Sequence, residues 1–232
     1  MLNFSINMTV LFFLVPGAIL GLIAWVVIGF MRSRSNDAFT LATATAFYAR
    51  VLMIVGALMS LIGLGVVFKA LFAYLNLAYS YYGNIAYAVP CAPTSTGCVS
   101  PIPDNSYRIT QRSQDLVLGL TLFAIGLAVA VAHFYLARAL SRLHGGAPAW
   151  LERGTLLALT VTTALGAVPS LAIGLYQLLT YFIIGSNQNT QPFGEAMGAA
   201  IAFVPAWLFV MRRLLASLRH PALVATPPPS SA

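Results

Sequence analysis

The sequence predicts an all-α, polytopic transmembrane helical bundle, and three observations predict it. Of the 232 residues, 59% are hydrophobic and 7% are charged, whereas an ordinary soluble domain carries roughly 25% charged residues. The mean hydropathy is +0.86. Five apolar runs are each long enough to cross a hydrocarbon core of about 30 Å at about 1.5 Å per helical residue. The runs are continuously apolar rather than alternating. They therefore read as helices, which satisfy their own backbone, and not as barrel strands.

The five spans lie at residues 9–31, 47–75, 114–137, 155–184 and 193–211. The first reads as a retained helix rather than a cleaved signal, because no basic residue precedes it and Arg32 and Arg34 follow it directly. The chain then divides into an N-terminal transmembrane helix (1–37), a first helical hairpin (38–146) with a long connection (76–113), a second hairpin (147–219) and a tail (220–232). The tail contains three consecutive prolines from Pro227 and has little to bury.

Direction follows from the basic residues. One side collects Arg32, Arg34, Arg50, Arg138, Arg142, Arg153, Arg212, Arg213 and Arg219, and the other collects Lys69, Arg108 and Arg112. Cytoplasmic loops carry the excess of Lys and Arg, so the expected topology is N-out and C-in, in a bacterial cytoplasmic (inner) membrane. The net charge of +7 then reflects topology, and no nucleic-acid partner is expected.

Spans two and three, and again four and five, follow one plan. Each pair begins near an Arg, crosses as a Gly-punctuated helix, and returns to an Arg. The first copy runs from Arg50 through Gly56 and Gly63 and back through Gly126 to Arg138. The second runs from Arg153 through Gly166 and Gly174 and back through Gly198 and Pro205 to Arg212 and Arg213.

The stretches from Phe47 to Leu71 and from Asp115 to Arg138, with the echo Val204-Pro205-Ala206-Trp207-Leu208 before Arg212, resemble an uncharacterised bacterial (Chloroflexota-type) family of paired transmembrane helices, duplicated in this chain. In that family the returning helix carries a Gly-Leu-Pro-x-Trp segment, a His and a basic end. Here the first copy has Gly126-Leu127 and His133 without the Pro and Trp, and the second has Pro205 and Trp207 without the His. The resemblance implies an integral membrane protein of unknown activity and transfers no catalytic residue.

The interior is defined by what it lacks and what it repeats. Ionisable groups at membrane depth mark ion and proton pathways, yet Lys69, Asp115 and Glu195 all count out to the outer ends of their spans. Pumps, antiporters and voltage sensors are therefore disfavoured. His133 is the sole histidine within a span, so a bis-histidine haem is also disfavoured; His133 as a haem ligand is the sharper reading and an interfacial polar residue the plainer one. No cofactor, metal ion or catalytic residue is expected.

Small residues recur at helical spacing instead: Gly17 and Gly21 in span one, Gly166, Ser170 and Gly174 in span four, Gly194 and Gly198 in span five. Such rows let helix backbones approach closely where lipid offers no hydrophobic driving force. Gly17 and Gly21, outside the doubled hairpins, are the candidate face for another subunit. Pro169 and Pro205 lie inside spans, where a missing donor and a crowded carbonyl kink a helix. Beside Pro169 the hydroxyls of Thr160, Thr162, Thr163 and Ser170 either line a cleft or return to their own helix.

The connection 76–113 holds five tyrosines and both cysteines. Cys91 and Cys98 lie on the oxidising side and read as a structural disulfide. The expected function is that of a non-enzymatic structural or assembly subunit of a larger membrane complex, energy-transducing complexes included, with the lipid bilayer and other membrane subunits as partners. The alternative is a small-molecule transporter or lipid- or quinone-binding protein with its cleft beside Pro169.

Overall fold

A computed structural model describes residues 41–75, 105–143, 149–184 and 193–219. They form four helices: α1 (Leu41–Leu75), α2 (Asn105–Leu143), α3 (Ala149–Ile184) and α4 (Gly194–Arg219), with no strand among the described residues. Each is long and apolar enough to cross a membrane, as a multi-pass membrane protein requires. Four of the five predicted spans are thus helices. The first span, with Gly17 and Gly21, and the connection with Cys91 and Cys98 lie outside the described residues, as does the tail from 220.

The helices are longer than the apolar runs. α2 begins at Asn105 and ends at Leu143, so residues 105–113 belong to it rather than to the predicted connection. α3 begins at Ala149, ahead of residue 155, and α4 continues past residue 211 to Arg219. Hydropathy marks the stretch that can face hydrocarbon, whereas the hydrogen-bond ladder continues until something interrupts it. Proline supplies the punctuation: Pro103, Pro148, Pro192 and Pro221 each stand within two residues of a helix boundary in the sequence.

α1 owes its central packing role to small side chains. Its buried positions include Ala49, Gly56, Ser60, Gly63, Val67 and Ala70. The spacing is that of a seam alternating between three and four residues, with one turn skipped between Ala49 and Gly56.

The described residues group into two compact units, to each of which every helix contributes. In the first (41–58, 127–143, 149–167 and 203–219) Ala46 and Ile54 of α1 enclose the fully buried Leu151 of α3, with Phe47, Val51, Ala158 and Leu159 packed around them. The ring of His133 on α2 stands edge-on to Tyr48 on α1, with centroids 6.4 Å apart. Gly166 of α3 faces the ring of Phe203 on α4, where an added methyl would come within 2.7 Å of the ring edge. Gly166→Ala is therefore expected to cost about 1–3 kcal/mol. Trimming Phe203 to Leu in the same chain should recover most of it, as read from unfolding midpoints in detergent.

In the second unit (59–75, 105–126, 168–184 and 193–202) α1 lies antiparallel to both α2 and α4. Gly63 of α1 and Gly119 of α2 meet backbone to backbone, and a Cβ on Gly63 would sit 2.7 Å from the Gly119 carbonyl oxygen. The Ser60 hydroxyl donates to the Phe123 carbonyl at 2.9 Å across the same contact. Gly198 of α4 abuts the Gly65 carbonyl and the Lys69 amide, each 2.9 Å from where its Cβ would be. Gly174 of α3 faces Ala196 and Met197 of α4. A T-shaped aromatic chain, Phe72 to Phe193 to Tyr181, joins α1 to α3 through the residue just before α4.

Candidate functional site: a three-helix charge cluster

The glycine contacts of the second unit place three charged side chains together. Lys69 lies one turn beyond Gly65 on α1, Asp115 one turn before Gly119 on α2, and Glu195 three residues before Gly198 on α4. Because the glycines bring α2 and α4 against opposite flanks of the same stretch of α1, both carboxylates converge on one ammonium. Lys69 Nζ donates to Asp115 Oδ2 at 3.2 Å and to Glu195 Oε1 at 2.8 Å. The side chains of Lys69 and Glu195 are each 13% exposed and that of Asp115 is 22% exposed.

The surroundings reinforce the cluster. Glu195 occupies the first turn of α4, where the helix dipole favours a negative charge. Arg112, one turn before Asp115 on α2, lays its guanidinium 3.7 Å from the centroid of the Tyr74 ring on α1, a cation–π contact. The α3/α4 register set by Gly174 against Met197 puts the buried Gln177 level with residues 193–195. An ammonium has three donors, and two are committed to carboxylates on different helices. The arrangement ties three helices together at one point.

Along α3 the threonine hydroxyls are spent locally. The hydroxyls of Thr160, Thr162 and Thr163 donate to the carbonyls of Leu156, Ala158 and Leu159, each one turn back along α3. They return to their own helix and do not serve Leu165, whose carbonyl Pro169 crowds. α3 and α4 run on through Pro169 and Pro205 as single helices, and both prolines are exposed. A helix that buries its partner contacts on one face tolerates proline on the other. Ser170, Gly194 and Gly198 are buried, and Gly198 packs against α1.

His133 is half-buried on α2, with its Nδ1 at 2.8 Å from the Val129 carbonyl oxygen. No group of three or more His, Cys, Asp or Glu suited to a metal ion is present among the described residues.

Charge is distributed unequally. The first unit carries Arg50, Arg138, Arg142, Arg153, Arg212, Arg213 and Arg219 against the single carboxylate Glu152 among its described residues. None of these arginines forms an ion pair there.

All three members of the cluster were visible in the sequence as charges at span ends, but their convergence was not. The available signal was the pairing of each charge with a glycine three or four residues away on the same helix face. The chain matches no protein-family model, no curated protein and no solved structure.

Proposed function

We propose that this chain is a non-enzymatic integral protein of the bacterial cytoplasmic membrane, oriented N-out and C-in, that serves as a structural or assembly subunit of a larger membrane complex. The observation that carries this reading is that the ion cluster of the described residues is committed to joining three helices. The Lys69 ammonium bridges carboxylates from two other helices, and the threonine hydroxyls of α3 close onto their own backbone.

Length supports a membrane crossing between Arg50 and Lys69, and the arginine count sets its direction. Arg50 and Lys69 are separated by 19 positions on α1, about 28 Å along a helix, the thickness of a hydrocarbon core. The cluster then sits at the outer interface, where ions are tolerated. Outward, α2 presents Val117, Leu118, Leu120, Ile125, Leu127 and Val131, a surface fit for lipid and for neighbouring subunits.

The same proposal includes a relation to the uncharacterised family of paired helices. Both returning helices, α2 and α4, place an acid just before a glycine that abuts α1, as Asp115 with Gly119 and Glu195 with Gly198. A duplicated hairpin accounts for that repetition. In the proposed subunit Gly17 and Gly21 bring span one against a partner, and a Cys91–Cys98 disulfide ties the outer connection.

The test is extraction from the native membrane in mild detergent, followed by mass spectrometry of what co-purifies in stoichiometric amount. Stable partner subunits are expected, and Gly17→Leu with Gly21→Leu is expected to release them. A lone chain or a homo-oligomer overturns the subunit reading and promotes the transporter or lipid- and quinone-binding alternative.

A further inference from the structure

Two arginines, Arg50 and Arg112, keep a buried Nε without a hydrogen-bond partner; Arg112 rests its guanidinium on the Tyr74 ring, whereas Arg50 stands in the arginine-rich first unit. It projects from α1 beside α3, half-buried, and its Nη1 donates to the Thr155 hydroxyl at 3.3 Å. That hydroxyl is already turned to the Leu151 carbonyl, to which it donates at 2.6 Å. Arg50 Nε is buried and has no hydrogen-bond partner. A guanidinium carries five donors in a rigid planar fork and cannot lose its charge in a protein. An arginine placed between two helices with one bond made and a buried donor orphaned is therefore incomplete. What its guanidinium end can still take is an acceptor: among the described residues no carboxylate lies within ion-pair distance of Arg50, and Glu152 acts on it only from farther away.

The chemistry of that acceptor follows from the setting. The six other arginines of this unit are all exposed and face a single carboxylate, Glu152. They make the environment of Arg50 strongly attractive to anions. In a multi-pass membrane protein, the anions present at high local concentration at helix ends are the phosphodiesters of acidic phospholipids, and basic sites between helices are where such headgroups bind. The Nη1 and Nη2 end of a guanidinium matches two phosphodiester oxygens in bidentate geometry, and it is this end of Arg50, not the buried Nε, that a headgroup would reach.

We propose that Arg50 is the anchor of a binding site for the phosphodiester headgroup of an anionic phospholipid. The headgroup sits beside α1 and α3, with the surrounding arginines supplying the attractive field. The site is independent of the subunit reading, because it requires no protein partner.

The test uses native mass spectrometry of the full chain, with phosphatidylglycerol, phosphatidylcholine and inorganic phosphate as probes. The wild-type chain is expected to retain phosphatidylglycerol at about one per chain and to release phosphatidylcholine. Arg50→Gln should weaken phosphatidylglycerol retention about tenfold or more. Arg50→Lys, which keeps the charge and loses the fork, should fall between them. Arg212→Gln, which removes an exposed arginine of the same unit, should change retention less than Arg50→Gln.

Equal retention of the two lipids, or equal losses in Arg50→Gln and Arg212→Gln, overturns the proposal and leaves only diffuse attraction. Displacement of phosphatidylglycerol by millimolar inorganic phosphate also overturns it, by assigning Arg50 to a free anion. If Arg50→Gln does not fold, the comparison of Arg50→Lys with the wild-type chain decides, because both carry the same charge. Equal retention by those two then counts against the bidentate site.

Discussion

Lys69→Met is expected to destabilise the protein by about 3 kcal/mol or more, the range for removing one partner of a largely buried ion cluster. The size follows from what remains. Asp115 and Glu195 both contact the Lys69 ammonium, so its loss leaves two carboxylates facing each other in a confined site. Their desolvation and mutual repulsion are then uncompensated. Neutralising the acids as well, with Asp115→Asn and Glu195→Gln in the Lys69→Met chain, should return most of the stability, because replacing a whole buried ionic cluster with neutral groups is often close to neutral. Unfolding in detergent micelles measures both effects. If Lys69→Met unfolds at the wild-type midpoint, the cluster behaves as a solvated surface pair worth at most about 1 kcal/mol, and its role in joining the helices is refuted.

The second large effect is expected at the α1/α2 contact. Gly119→Leu places a side chain where the Gly63 carbonyl oxygen and the Val67 amide already stand 2.9 Å from the Cβ position. Both obstacles are backbone and neither rotates away. The helices must separate, which breaks the Ser60 to Phe123 hydrogen bond and draws Asp115 away from Lys69. The cost is expected to exceed the 1–3 kcal/mol or so typical of overpacking, since a hydrogen bond and an ion pair are lost with it.

Gly65→Ala is the matched control. Its Cβ meets the Ala199 Cα at 3.4 Å, at the edge of ordinary van der Waals contact, and alanine is the better helix former by about 1 kcal/mol. Its net effect should be small. If the two glycine substitutions shift the unfolding midpoint equally, the close approach at Gly63 and Gly119 carries no special weight.

How much of this was legible beforehand differs from residue to residue. Gly166, Gly174 and Gly198 were readable as contact positions because a small residue within an apolar helix has few other uses. What each one contacts was not readable: Gly166 meets a phenyl ring, whereas Gly198 meets backbone. Pro169 illustrates a local rule that left two outcomes open. The proline and its neighbouring hydroxyls favoured a packed helix over a cleft, and the hydrogen bonds of Thr160, Thr162 and Thr163 support the packed one. The start of α2 escaped because the backbone ladder runs on through polar residues such as Ser113, outside the hydrocarbon stretch, and the Ser113 hydroxyl is absorbed by the Ile109 carbonyl of its own helix.

By itself the sequence determined that this protein is a bundle of long apolar helices, where its basic residues gather, and which small residues are available for contact. These are properties of one helix at a time, set by composition and by the 3.6-residue period. Only the tertiary structure decided that α1 is flanked by α2 and α4, and that Lys69 therefore meets Asp115 and Glu195 together. It also showed that Arg50 keeps an unanswered donor. Such facts depend on which helices are neighbours and in what register. In a lipid-facing bundle, register is set by backbone approach at glycines on different helices, and no single stretch of sequence contains both sides of that contact.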